Sequence, residues 1–314
     1  MKIILIGPGC MPIPPKGWGA VESLVWDYYE CLIKRNHQVI IVNNTNLHEV
    51  ISYCNFVNPD IVHIMYDDHV VIAPHLNCSK IFYMSHFAYI TDPKFENVHT
   101  NYFNNIFKRV IQNQEHIILN AISPQIKNVY LKYGFKKPVN VIHNGARSEL
   151  FTYTATPTFR DHSIYLAKIE ERKSQYKYQS IPNIVFVGNY TNSSFDCSNT
   201  NYLGEWTKPT LYENLTNYGN LILLSEGEAD PLVVKEALIA GLGVVVSECS
   251  CANLDLTRDF ITVIPNEKLN DLEYIEQKIK ENRTISVSKR KDIREYALEN
   301  FDWEKIIDKF IELF

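Results

Sequence analysis

The sequence predicts an α/β protein made of two doubly wound halves. Three observations predict it. Short apolar runs alternate with longer segments whose apolar residues recur at helical spacing, the pattern of a parallel sheet with crossover helices. The alternation stops over residues 144–161, a polar stretch with turn signals, and then resumes. A length of 314 residues suits two domains, each with its own core.

In the first half, Lys2–Gly7 is an apolar run ending in glycine and reads as a buried first strand. A loop rich in Gly and Pro covers 8–19. Val21, Leu24, Val25, Tyr28 and Leu32 then recur at helical spacing, which predicts an amphipathic helix over 19–35. Gln38–Asn43 is a second strand, 46–54 a helix, Asp60–Met65 a third strand and Lys80–Met84 a fourth. A helix over 97–113, a strand over 116–121, a helix over 124–133 and a strand over 139–143 complete this half.

In the second half, Ser163–Ala167, Ile184–Val187 and Leu221–Leu224 read as strands, with a helix over 208–217. A helix over 231–240, strands over 243–247 and 261–264, and charged helices over 268–314 follow. The expected division is 1–150, 151–295 and a terminal helix over 296–314, whose Ile306, Ile307, Phe310 and Leu313 form an apolar face expected to pack back on the first domain. Ligands in such sheets bind beyond the carboxyl ends of the strands, so the loops after the strands carry the chemistry.

The chain has 31 Lys and Arg against 36 Asp and Glu, a formal charge of −5. That balance argues against a nucleic-acid partner, while a local basic cluster can still hold a small anion. No apolar run is long enough to span a bilayer, and the Gly/Pro-rich segment after the first run does not read as a signal cleavage site. The seven cysteines are scattered without a CxxC pair, as expected of reduced thiols in a cytoplasmic protein; peripheral contact with a membrane stays open. His63, His69, His75 and His143 lack metal-ligand spacing and read as satisfied structural histidines.

Gly7-Pro8-Gly9-Cys10-Met11-Pro12 lies where a dinucleotide fingerprint would, but Pro12 takes the place of the third glycine and the helix starts too late. This argues against a nicotinamide or flavin cofactor. Gly17 and Gly19 precede the first helix, where glycines let backbone amides approach an anion. A tight turn that needs positive φ explains them equally well.

The strand Leu221–Leu224 runs into a polar loop in which Asp230 reads as a helix N-cap and Pro231 as the first helical residue, with Gly241 as the stop. Val233, Val234, Ala237 and Leu238 share the core arc, and Lys235 and Glu236 flank the other. Glu236 therefore borders solvent or the crevice, where a carboxylate can accept hydrogen bonds from the paired hydroxyls of a ribose. Taken singly, a solvated helix-face glutamate is the better explanation, and Glu228 has the same ambiguity. The spacing Glu228-x7-Glu236 on a strand–loop–helix raises both. Lys168 and Lys173, just past Ser163–Ala167, suit a diphosphate whose charge grows as its bond to a sugar breaks. Mixed charge in a loop is otherwise solvated surface.

Together these residues resemble the retaining glycosyltransferases of the GT-B fold, specifically glycosyltransferase family 4, over nearly the whole chain. Pro14–Glu22 looks like the family's N-terminal phosphate loop, and Ser85-His86 resembles the position of its active-site histidine. Val141–Ala146 is similar to its interdomain segment, Lys168 and Lys173 to its Arg-x4-Lys pair, and Glu228 and Glu236 to its Glu-x7-Glu motif. The resemblance implies two Rossmann-like domains facing across a cleft, with a nucleotide-diphosphate sugar bound mainly by the second and a glycan or glycolipid acceptor entering from the first. It implies that Glu236 binds the ribose, Glu228 contacts the donor sugar, and Lys168 and Lys173 stabilise the leaving diphosphate. Gly17, Gly19, Gly188, Asp230 and Leu232 would line the donor, and His86 would orient the transferred sugar. The implied donor is UDP-linked, and no cofactor or metal is implied, in keeping with the lack of an Asp-x-Asp motif; Asp67-Asp68 reads as a turn pair.

The expected reaction is same-face transfer, because no carboxylate outside the Glu motif is placed to act as nucleophile. Two departures bear on it. Lys168 stands for the family's Arg and lacks its bidentate fork. Ala229-Asp230-Pro231 stands for the usual Gly-Phe-Gly, which removes a backbone donor and adds a negative charge. The stretch from Lys173 to Ile184 is also short, so the first crossover there is trimmed. An epimerase or hydrolase on the same fold, and a catalytically inactive nucleotide-sugar-binding module, are the alternative readings.

Overall fold

The computed structural model describes residues 1–17, 19–91 and 105–314. The chain divides into two compact units: Met1–Pro15 with Gly19–His143 and Ile306–Phe314, and Lys16–Trp18 with Asn144–Lys305.

The N-terminal unit is built on the strands β1 (Lys2–Ile6), β2 (Gln38–Val42), β3 (Ile61–Ile64), β4 (Ile81–Met84), β5 (Ile118–Ala121) and β6 (Val139–Val141). They form one sheet in the order β2-β1-β3-β4-β5-β6, and every pairing is parallel. Ile3–Ile6 are wholly buried, as continuous apolar runs should be when helices cover both faces. The helices are α1 (Ala20–Lys34), α2 (Leu47–Val57), α3 (Phe107–Gln112) and α4 (Pro124–Lys132). α1 buries Leu24, Val25, Tyr28 and Leu32, the stripe its spacing predicts. Asn46 and Ser123 cap α2 and α4 by accepting from backbone N–H groups of the first turn. Residues 97–104 of the helix expected over 97–113 lie outside the described residues; of the remainder, Phe107–Gln112 forms α3.

The C-terminal unit contains β7 (Phe159–Leu166), β8 (Ile184–Val187), β9 (Tyr218–Leu223), β10 (Gly243–Ser247) and β11 (Ile261–Ile264), parallel throughout in the order β11-β10-β9-β7-β8. Its helices are α5 (Lys208–Asn214), α6 (Leu232–Ile239), α7 (Leu272–Ser288) and α8 (Arg290–Asn300), and α9 (Trp303–Ile311) ends the chain. β7 starts inside the stretch read as connection, because Phe159, Arg160 and Asp161 lie exposed at its outer end and carry no buried apolar signal. Between β7 and β8 the chain makes only two short 3-10 turns, Glu171–Lys173 and Gln175–Tyr178. The last residues complete the N-terminal unit: the Phe310 ring lies 5.2 Å from Tyr28, 4.9 Å from His63 and 5.1 Å from Phe82.

Candidate functional site

Strands β7 and β9 are neighbours and parallel, so the loops leaving their carboxyl ends lie side by side. The sequence ties these loops together. The Glu226 N–H donates to the Arg172 carbonyl at 2.8 Å. Tyr165 stands at the inner end of β7, donates to the Lys173 carbonyl at 2.5 Å and accepts from the Leu224 N–H at 2.9 Å. Burial pushes the Tyr165 hydroxyl far up, so it remains a neutral donor.

Glu228 is the centre of this junction. Its Oε1 accepts from Lys173 Nζ and from Ser225 Oγ at 2.8 Å, and Arg172 Nη1 stands 3.3 Å away. The carboxylate is buried, which by itself would raise its pKa, but the charges of Lys173 and Arg172 outweigh that and hold it below the usual carboxylate range. Glu228 is therefore ionised at neutral pH. All three contacts fall on Oε1, and Oε2 has no partner among the described residues.

A chain of charges extends from there to Lys168. Arg172 donates to Glu170 Oε1 through Nε at 3.1 Å and Nη2 at 2.7 Å, and Lys168 Nζ lies 3.7 Å from Glu170 Oε2. Lys168, Arg172 and Lys173 thus interleave with two carboxylates, Glu170 and Glu228, in one charge network at the strand ends.

Glu236 sits in the second turn of α6 and is buried, not solvated. Its Oε1 accepts from Lys208 Nζ at 2.9 Å, and its Oε2 likewise keeps no partner among the described residues. Leu232 is the first residue of α6, and no side chain caps this helix, so its first-turn amides are open to an anion.

Two expectations for α6 need correction. Asp230 is not the N-cap; Pro231 holds that place. The Asp230 carboxylate turns inward, accepts from the Asn144 N–H at 2.8 Å and pairs with Lys235, while Asn144 Nδ2 donates to the Asp230 carbonyl at 2.8 Å. Lys235 does not flank the exposed arc. It is wholly buried, donates to the Ala252 carbonyl at 3.1 Å and lies 5.6 Å over the Phe301 ring. The pair exists because a lysine stem fits the apolar interior while its ammonium finds a carboxylate one turn away. The negative charge that Asp230 was expected to add beside a diphosphate is thereby neutralised.

The glycines separate. Gly19 has a φ of +132° and is the residue before α1, so the turn requires glycine. Gly17 lies against Glu205: a Cβ there would lie 2.4 Å from Glu205 Oε1, the mobile end of an exposed side chain, so this contact does not by itself demand glycine. Gly188 follows β8 at a φ of +146°, and a Cβ would meet the Ala167 carbonyl oxygen at 1.9 Å.

His86 follows β4 in the N-terminal unit. Both its ring nitrogens are buried with no hydrogen-bond partner among the described residues, and burial pushes its pKa down to about 4. His63 contradicts the expectation of a satisfied histidine: it is fully buried, surrounded by rings, and neither nitrogen has a partner among the described residues. Among the described residues no group of three or more His, Cys, Asp or Glu side chains is arranged to hold a metal ion, and no helix is long and apolar enough to cross a membrane.

No family model and no curated protein matches the chain. Solved structures do. Sucrose-phosphate synthase from Thermosynechococcus elongatus aligns over 100% of this chain and 98% of its own, with a TM-score of 0.75 and 16% identity. Anabaena HepE, solved with UDP-glucose, aligns over 100% and 99%, with a TM-score of 0.73 and 14% identity. The lipopolysaccharide outer core galactosyltransferase WaaB aligns over 99% of each chain, with a TM-score of 0.65 and 15% identity. The fold is GT-B.

Within this GT-B chain the structure joins Lys168, Lys173 and Glu228 in one charge network and gives Glu236 a separate partner, Lys208. Sequence reasoning missed Arg172, Ser225, Lys208 and Tyr165. Arg172 is adjacent to Lys173, and Ser225 is three residues from Glu228, so proximity to the motif could have drawn attention to both. Tyr165 and Lys208 meet their partners only through the sheet and the packing of α5, and no local pattern marks them. Chemically, the network can meet an anion through its ammonium groups while the two carboxylate Oε2 atoms accept from hydroxyls.

Proposed function

We propose that the protein is a retaining glycosyltransferase of the family 4 kind, which moves a hexose or N-acetylhexosamine from a UDP-linked donor to a hydroxyl of a glycan or glycolipid. The observation that carries this reading is the pair Glu228 and Glu236, each buried on one strand–loop–helix, each held by a lysine through Oε1 and each keeping Oε2 for a ligand. The fold supports it, because HepE was solved with UDP-glucose, and TarM with UDP and α-GlcNAc-glycerol.

In this reading Glu236 Oε2 accepts from the ribose hydroxyls and Glu228 Oε2 from a hydroxyl of the donor sugar. Lys168, Lys173 and the open amides at Leu232 offset the charge that grows on the leaving diphosphate, the step at which electrostatic stabilisation counts most. Gly17, Gly19 and Gly188 allow backbone to approach the donor. His86, neutral at physiological pH and with neither ring nitrogen bonded among the described residues, orients the transferred sugar. Asp230 is left out of the donor contacts, its oxygens being committed to Asn144 and Lys235. Glu228 is locked by cations rather than aimed as a nucleophile, so transfer occurs on one face, with the acceptor proton passing to the departing phosphate oxygen. The positive charge comes from side chains, and the reaction proceeds without a metal; activity that survives EDTA is the expected result.

The test is a thermal-shift screen against UDP-, GDP- and ADP-sugars, followed by a transfer assay with anomeric analysis. A ligand at about 100 times its Kd adds about 2.7 kcal/mol to the folded state. Glu236→Ala and Lys173→Ala should each abolish the UDP-sugar shift while the fold persists. No shift with any nucleotide sugar, or normal transfer by both variants, would overturn the reading. Binding without turnover would make the protein the inactive module.

A further inference from the structure

Arg172 has no counterpart in the Lys168–Lys173 and Glu228–Glu236 pattern, yet it holds more of the junction than either lysine. Nη1 donates to the Gly227 carbonyl at 2.6 Å and stands 3.3 Å from Glu228 Oε1. Nε and Nη2 are both occupied by Glu170 Oε1, and the backbone carbonyl takes the Glu226 N–H. One planar fork therefore grips the loop after β9 at Gly227 and Glu228 while Glu170 fixes the fork's other edge.

The geometry has a consequence for the peptide between Gly227 and Glu228. A trans peptide is planar, so its C=O and N–H point in opposite directions. With the Gly227 carbonyl drawn to Arg172, the Glu228 N–H points away from the guanidinium, and that N–H has no partner among the described residues. On the same residue Oε2 also has no partner among the described residues, because Lys173, Ser225 and Arg172 all crowd Oε1. Residue 228 thus offers one donor and one acceptor, both oriented by contacts that Arg172 makes.

We propose that Arg172 is a positioning residue: it fixes the Gly227–Glu228 peptide and the Glu228 carboxylate so that the Glu228 N–H meets a phosphate oxygen while Oε2 meets a sugar hydroxyl. This rests on the nucleotide-sugar reading above. It also bears on the lysine at 168, where the fork of an arginine is missing: the only guanidinium in the Lys168–Lys173 segment is spent on holding the loop. Lysine at 172 would retain the charge, but a single nitrogen cannot hold Glu170 and the Gly227 carbonyl in one plane.

The experiment compares the full chain with Arg172→Gln and Arg172→Lys, checking by circular dichroism that each is folded. The first readout needs no ligand: the titration of the Glu228 carboxylate carbon by NMR, assigned with Glu228→Gln. The second is the affinity for UDP-glucose by calorimetry. Arg172→Gln should move the Glu228 titration to higher pH and weaken UDP-glucose by about tenfold, the loss of charge-assisted bonds. Arg172→Lys should restore the titration but not the affinity, a split that a purely structural role would not produce. Unchanged titration in Arg172→Gln, or UDP-glucose affinity equal to that of the unaltered chain, would overturn the proposal. If the unaltered chain fails to bind UDP-glucose, the UDP-donor reading falls, and the titration and the exchange rate of the Glu228 amide decide on Arg172 alone.

Discussion

Lys173 and Glu228 lie 55 residues apart in the chain and form an ion pair nearly closed to water, joining the loop after β7 to the loop after β9. A buried pair of this kind gives little net stability when intact, but removing one partner leaves an uncompensated charge, which costs about 3–5 kcal/mol. The two partners should not be equivalent. Lys173→Met leaves Glu228 beside Arg172, whereas Glu228→Gln leaves Lys173 and Arg172 facing each other with one fewer carboxylate. Urea unfolding should therefore show the larger loss for Glu228→Gln, at the upper end of that range. Losses under about 1 kcal/mol for both would mean the pair is as wet as a surface salt bridge.

The Asp230–Lys235 pair is more deeply buried and serves a different end. Both side chains are wholly shielded, and Asp230 also holds Asn144, the first residue of the C-terminal unit after His143. Asp230→Asn should destabilise the chain by about 3 kcal/mol, because the Lys235 ammonium is left without a counter-charge in the interior. Adding Lys235→Met should recover most of that loss, since an uncharged stem of similar length suits the pocket beside Phe301. The double variant should bind UDP-glucose about as well as the unaltered chain. Recovery of stability with loss of affinity would return Asp230 to the donor contacts.

Gly188 offers a test that depends on backbone alone. Its φ of +146° and the 1.9 Å approach of a Cβ to the Ala167 carbonyl oxygen leave no room for a side chain at the end of β8. Gly188→Ala should cost about 3 kcal/mol or more, from strain and from separation of the β7 and β8 strand ends. A urea midpoint within error of the unaltered chain would contradict the backbone path described for this turn.

The two sheets were readable because parallel strands buried on both faces appear as continuous apolar runs, and Ile3–Ile6 and Leu221–Leu224 show this directly. The early start of β7 was not readable, since its exposed first residues have no reason to be apolar. The glutamates were found by their spacing, a property of one local strand–loop–helix. The roles of Lys235 and Asp230 were hidden because a helical wheel assigns charged residues to solvent, and only a partner brought in by folding reverses that. Arg172 was passed over for a related reason: its importance lies in the Gly227 carbonyl, a backbone group that no sequence pattern displays.

The buried histidines make stability depend on pH in a predictable direction. Burial, and then the neighbouring His86, lower His63 to about 3, and burial lowers His86 to about 4, against an ordinary value of 6.5. The unfolded chain takes up these protons as pH falls through 6.5, and the folded chain does not. Their contribution is therefore complete above pH 6.5 and is lost progressively below it, by about 1.4 kcal/mol per pH unit for each histidine. Glu228, held below its ordinary 4.5, adds a further loss in the same direction only below that pH. His63→Phe keeps an aromatic ring among Tyr28, Phe82 and Phe310 and removes one titrating group. Between pH 6 and 5 the stability of this variant should fall less steeply than that of the unaltered chain, by about 1.4 kcal/mol per pH unit. Equal slopes in urea unfolding across that interval would show that His63 protonates in the folded protein, and that its nitrogens reach water or a partner.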